Sequence, residues 1–171
     1  MQATAITTSY LNGTILQSDS ACDVIWDDGS QERDVINLYP SVLNQTVLGF
    51  GGAVTEAVGH TLLLLPPQQR QRLLKDCFGE EGLGYTLART SIDSCDFSLS
   101  QYEAAPAPGA PFNLERDEKS IIPILQAAQQ CCPAPISLML TPWSPPAYMK
   151  DNDERSHGGR LRPEYYGAWA E

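Results

Sequence analysis

The pattern of apolar and polar positions changes rhythm near residue 45. Before it, ITTSYL and TILQS flank Asn12-Gly13, the dipeptide most favoured in a tight hairpin turn. Asp27-Asp28-Gly29 predicts a second turn, between CDVIW and the stretch ending in Val35-Ile36-Asn37-Leu38-Tyr39. Pro40 then ends the pairing, because proline has no N–H to offer a strand ladder. Residues 1–45 are therefore expected to be short antiparallel strands with mixed faces and little core of their own.

From Thr46 the segments lengthen and alternate in type. Thr46–Phe50 predicts a short strand, the glycines of GFGG (49–52) a sharp turn, and Val54–Leu65 a helix. Pro66-Pro67 fits the start of a second helix, with Leu73, Leu74, Cys77 and Phe78 on one face and Gly79 as its stop. YTLARTSI (85–92) reads as a second strand without clean alternation. An acidic loop containing AAPAPGAP follows, then a helix over 115–130 whose apolar side is Ile121, Ile122, Ile124, Leu125 and Ala128. ISLML (136–140) is a third strand, apolar throughout as in parallel strands covered on both faces. Another helix begins near Pro163-Glu164. This alternation predicts an α/β fold with parallel strands. A complete (β/α)8 barrel has roughly 250 residues, so residues 46–171 are expected to hold its first three βα units, truncated, as the N-terminal part of a TIM barrel.

Composition narrows the function classes. The chain has 171 residues, 42% of them hydrophobic and 19% charged, too apolar for a disordered segment. A net charge of −10 argues against a nucleic-acid or anionic-membrane surface. The aliphatic run Leu62–Leu65 is far too short to span a bilayer, and MQATAITTSY lacks the pattern of a signal peptide. Five cysteines, an odd count without a CxxC pair, fit reduced thiols in a cytoplasmic protein. His60 and His157 stand far apart without ligand-spaced partners, so neither a metal nor a cofactor is expected.

In parallel barrels the chemistry collects where strands run into the following loops. Those places here are GFGGAVTEA, RTSIDSCDFS and TPWSPPAYMK, which hold Glu56, Arg89, Asp93, Asp96 and Trp143. Arg89, near a strand end, could hold a catalytic carboxylate, or form a structural ion pair with Asp96 or Asp93. Asp96 could accept hydrogen bonds from ligand hydroxyls, or serve as a turn or cap residue. Trp143 sits among Pro142, Pro145 and Pro146; it could be an apolar plate for a ligand, or a plug for the barrel top. A carbohydrate uses all three kinds of group. GFGG lacks the GxGxxG spacing and the Gly-Lys-[Ser/Thr] ending of phosphate loops, and neither GxSxG nor a Cys/His pair is evident.

GFGGAVTEA, EEGLGYTLARTSIDSCDFSLSQY and LTPWSPPAYMK, in that order and spacing, resemble family 30 glycoside hydrolases of the glucosylceramidase type over about residues 48–150. The resemblance implies a (β/α)8 barrel joined to a β-sandwich side domain, to which residues 1–45 would give N-terminal strands. It implies retaining hydrolysis of β-linked glucosides, with a β-glucoside or glucosylceramide-like substrate. Asp96 would accept hydrogen bonds from the sugar at the cleavage subsite, Trp143 would contact the same sugar, and Arg89 would lie beside the nucleophile. Glu56 replaces the aspartate usual in GFGGAxTDA, and Tyr148 stands where tryptophan is frequent.

A retaining glycosidase needs two carboxylates about 5 Å apart. In the family both are glutamates on later strands, the first within Asn-Glu-Pro. No Asn-Glu-Pro occurs here. Glu80-Glu81 precede a strand and Glu115 opens a helix, at the wrong barrel end. No residue of this chain is therefore expected to be catalytic, and the chain alone is expected to be inactive without the C-terminal part of its barrel. The alternatives are a non-catalytic truncated or diverged sugar-binding module, or a different barrel hydrolase that uses Glu56 and Asp96.

Overall fold

The structure is a computed structural model that describes residues 2–11, 13–26, 29 and 36–170. It divides into two compact units, Met1–Thr46 and Val47–Glu171.

In the first unit, β1 (Gln2–Leu11) pairs antiparallel with β2 (Thr14–Asp23), from Leu11↔Thr14 at the turn to Gln2↔Asp23 at the far end. Gly13, with φ +77°, adopts the left-handed backbone that a two-residue hairpin turn demands. Ile6, Tyr10 and Ile15 are 64%, 77% and 61% exposed, so the hairpin buries little of its own apolar surface. The turn at Asp27-Asp28 and the adjoining residues through Val35 lie outside the described residues. Residues 36–39 form no strand. The chain turns instead at Pro40, where Val42 N–H donates to the Tyr39 carbonyl (3.0 Å).

The second unit is a parallel sheet of β3 (Gly51–Ala53), β4 (Leu87–Ile92) and β5 (Ser137–Pro142), in that spatial order. Register sets Ala53 beside Arg89, Arg89 beside Met139, and Ile92 beside Pro142. The first strand begins at Gly51 rather than Thr46. A Cβ on Gly51 would run into the Leu87 backbone, so glycine is what lets these strands come together. The apolar residues Val47, Leu48 and Phe50 before it stay 67%, 86% and 71% exposed.

The helices are α1 (Glu56–Leu64), α2 (Pro67–Phe78), α3 (Glu115–Lys119), α4 (Ile121–Cys131) and α5 (Tyr166–Ala170), the last following a single 3-10 turn at Pro163–Tyr165. Pro67 opens α2 and Gly79 closes it, its N–H reaching the Lys75 carbonyl at 2.8 Å. The expected helix over 115–130 is two helices meeting at Ser120. Pro123 is the cause: its ring would collide with the Lys119 carbonyl of a continuous helix and offers no N–H to it. Val54, Leu74, Phe78, Ala88, Ile121, Ile124, Ala128 and Cys132 make one core between the helices and one face of β4. Leu73, expected on the buried face of α2, is 45% exposed. Gly59 of α1 lies where a Cβ would come 2.5 Å from the Ser120 carbonyl oxygen, so this glycine sets how closely the two helices approach. All five cysteines are free thiols: Cys22 is exposed, Cys132 is buried, and Cys77, Cys95 and Cys131 lie between.

Candidate active site at the strand ends

Along β4 the side chains alternate between the two faces of the sheet. Ala88 packs into the helical core, so Leu87, Arg89 and Ser91 face the opposite, inner side. Parallel register puts Ser137, Met139 and Thr141 of β5 on the same side. A groove of about 430 Å³ runs there between Gly51, Gly52, Arg89 and Met139. Arg89 reaches toward the loop end of the sheet. Its Nε donates to Thr141 Oγ1 (3.2 Å) and its guanidinium carbon lies 5.0 Å from the centre of the Trp143 ring. A cation over an indole face is attractive by about 0.5–2 kcal/mol, depending on desolvation. The structural alternative for Arg89, an ion pair with Asp93 or Asp96, does not form; among the described residues it has no carboxylate partner. The reason is that Asp93 is already engaged. Its Oδ1 accepts from Ala104 N–H (2.7 Å) and its Oδ2 lies 3.5 Å from Arg155 Nη1.

Asp96 is exposed, at the second position of a turn closed by Ser98 N–H donating to the Cys95 carbonyl (3.0 Å). The hydroxyl of Ser98, and not Asp96, accepts from the Cys95 N–H (3.0 Å). Among the described residues the Asp96 carboxylate makes no hydrogen bond or ion pair, so its oxygens stay open to a ligand. Trp143 is 40% exposed, with the guanidinium over one face of its ring.

Glu56 behaves in the opposite way. It is 5% exposed, and Arg116 grips it with Nε to Oε1 (2.8 Å) and Nη2 to Oε2 (2.9 Å). Leu99 N–H adds a third bond to Oε2 (2.8 Å). Glu56 thus ties the first turn of α1 to α3 and to the loop after β4. With three donors on it, this buried carboxylate is committed to holding these elements together. Arg116 in turn lies 4.7 Å from the Tyr102 ring centre. Burial, then the nearby Asp117 and Glu56 carboxylates, push the Tyr102 hydroxyl far above its ordinary range. Burial likewise raises Asp117.

Sequence patterns did not single out Arg155. It stands in DNDERSHGGR, a run that reads as solvated loop, yet its side chain is 5% exposed. Its Nη2 donates to the Ser94 carbonyl (3.2 Å), and Nη1 lies 3.7 Å from Glu103. Beside it a cavity of about 620 Å³ opens between the loops after β4 and β5, lined by Tyr102, Glu103, Ala147, Asp153 and His157. Among the described residues no group of three or more His, Cys, Asp or Glu could hold a metal ion. No helix among them is long and apolar enough to cross a membrane.

Residues 47–170 match the glycosyl hydrolase family 30 TIM-barrel domain. The chain is 34% identical over 145 residues to lysosomal acid glucosylceramidase of Mus musculus, covering 80% of this chain and 28% of that protein. It is 31% identical over 120 residues to endo-1,6-beta-D-glucanase of Neurospora crassa, covering 66% and 25%. Among solved structures, SrfJ from Salmonella typhimurium superposes with a TM-score of 0.74 at 32% identity, over 99% of this chain and 38% of that one. The endo-beta1,6-glucanase BT3312 superposes with a TM-score of 0.67 at 34% identity, over 78% and 31%. The chain thus spans about a quarter to two-fifths of the length of these relatives. With a parallel β/α sheet, loops at its strand ends and a match over nearly all of the second unit, the chain belongs to glycosyl hydrolase family 30, as part of its TIM-barrel domain.

Proposed function

We propose that this chain forms the first three βα units of a retaining β-glycoside hydrolase acting on β-linked glucosides, and that it supplies part of the sugar site without either catalytic glutamate. In this reading Trp143 is the plate for one face of the sugar ring. Asp96 accepts hydrogen bonds from its hydroxyls. Arg89 waits beside the place of the nucleophile, and the C-terminal part of the barrel supplies the two glutamates. A glucosylceramide-like substrate is favoured because the relatives include a glucosylceramidase. Residues 1–45 are assigned to a β-sandwich side domain, and the free thiols suit a reducing, cytoplasmic setting.

The observation that carries the proposal is the pairing of Arg89 and Trp143 at the loop end of the inner face, with no carboxylate on the guanidinium among the described residues. An arginine in a barrel mouth is costly unless an anion completes it, and a nucleophile glutamate from a later strand would do so. The rival hydrolase using Glu56 loses support because three hydrogen bonds already occupy that carboxylate. The reading as a sugar-binding module without catalysis keeps one specific support, the absence of Asn-Glu-Pro from the 171 residues. The test is release of nitrophenol from p-nitrophenyl β-glucoside. The 171-residue chain should show none above background, and clear turnover would refute the assignment of the catalytic pair to residues outside it. In a longer protein containing this chain, Glu56→Gln should lower stability and leave turnover measurable in the folded fraction. Near-total loss of chemistry there would favour the rival.

A further inference from the structure

We propose that Arg155 is a positioning residue for the sugar site, holding the loop that carries Asp96 in register with the loop that carries Trp143. The inference rests on the sugar-site reading above and adds a residue to it. The two loops leave neighbouring strands, β4 and β5, and Asp96 makes no bond of its own to the second loop. The loop contacts gather around Arg155 instead. From the β5 side it reaches into the β4 loop, donating to the Ser94 carbonyl at 3.2 Å and standing 3.5 Å from Asp93 and 3.7 Å from Glu103. Asp93 relays this constraint within its own loop through the bond from Ala104 N–H (2.7 Å). Glu103 passes it back to the β5 loop by accepting from Ala147 N–H (2.9 Å), four residues past Trp143.

The Arg155 backbone is fixed as well. Lys150, itself buried, donates to its carbonyl at 3.0 Å. Ser94 lies two residues before Asp96, so a shift of the guanidinium moves the carboxylate almost directly. Asp93 holds φ +62°, a left-handed backbone that a non-glycine residue adopts at a cost. In that conformation Asp93 accepts from the Ser91 hydroxyl at its carbonyl (2.9 Å) and from Ala104 N–H at its carboxylate. Placing two charges out of water rarely stabilises a fold more than an apolar pair of the same shape. Its effect here is geometric: it fixes one arrangement of two loops that must present an acceptor and an aromatic plate to the same ring.

The experiment compares the 171-residue chain with Asp93→Asn/Arg155→Met and with Arg155→Lys, at micromolar concentration. The double variant removes both charges, while the asparagine side chain keeps an acceptor for Ala104 N–H and tolerates positive φ. Amide hydrogen exchange of residues 94–98 should quicken about tenfold or more in the double variant, with exchange in α4 unchanged. Affinity for p-nitrophenyl β-glucoside, read as quenching of Trp143 fluorescence against a Trp143→Phe control, should fall about tenfold. Arg155→Lys should recover most of both. Unchanged exchange at 94–98, or wild-type affinity in the double variant, overturns the proposal. If the unmodified chain shows no quenching at all, the sugar reading fails instead, and the exchange result alone decides whether Arg155 fixes the loops. Should the double variant not fold, Glu103→Gln takes its place: it should quicken exchange at 94–98 and weaken quenching, and wild-type values of both would overturn the proposal.

Discussion

Glu56 and Asp96 both stand at the loop end of a parallel strand, and their surroundings separate them. Glu56 is 5% exposed with its charge met by Arg116, so Glu56→Gln leaves a guanidinium half-satisfied and should destabilise by about 3 kcal/mol in urea unfolding. That is the low end for a broken buried pair, because Arg116 is 34% exposed and can rehydrate. Asp96→Asn touches no partner among the described residues and should change stability by no more than about 0.5 kcal/mol, while weakening glucoside quenching of Trp143. Asp117 adds a pH dependence. Burial raises its folded-state value, so the folded chain holds this proton more tightly than the unfolded one. Stability from this group is therefore full below the ordinary carboxylate range and declines as pH rises through it. Asp117→Asn should unfold at a higher temperature than the parent at pH 7, and at the same temperature below about pH 3. The candidate contacts were legible because loops after parallel strands are read by position, and Arg89, Asp96 and Trp143 stand out by residue type. Arg155 was not legible. Its partners, Asp93 and Glu103, are more than 50 residues away in sequence, and a local pattern cannot see them.

At the scale of elements, composition fixed types better than ends. Pro67 and Gly79 bound α2 where proline and glycine chemistry places them. Asn12-Gly13 marked the hairpin, whose strands run ten residues each. The first strand of the sheet was misplaced toward apolar TVLGF because strand formation here depends on a backbone approach that only glycine at 51 permits. The single helix expected over 115–130 is divided in two ahead of Pro123. The crossing of α1 and α4 depends on another single position. At Gly59 an added side chain meets a backbone carbonyl, which cannot swing aside. Gly59→Val should therefore cost about 3 kcal/mol, the upper end for overpacking, and lower the thermal midpoint. An unchanged midpoint would mean that α1 can shift at no expense.

At the scale of the molecule, the three-stranded sheet has two edges, β3 and β5. Leu138, Met139 and Leu140 of β5 are 45%, 63% and 56% exposed, so both faces of an apolar strand meet solvent beside an unpaired backbone. Such an edge invites pairing with another chain. Sedimentation of the 171-residue chain should show association that grows with concentration, and Leu140→Lys should reduce it. A monodisperse parent at high concentration would contradict this. The barrel itself was legible from alternation and length, because each βα unit carries its own pattern. Loop geometry was not, since it depends on contacts between units. The graded depth of the thiols has a practical consequence. Cys22 lies in the exposed hairpin, and Cys132 sits in the core with its Sγ donating to the Tyr85 carbonyl at 3.5 Å. A single alkylating pulse during denaturant titration would tag the first at once and the second only as the sheet and α4 part. The chain thereby carries an intrinsic chemical reporter for the opening of the second unit, Cys132, with Cys22 as its always-reactive reference, without any label being engineered.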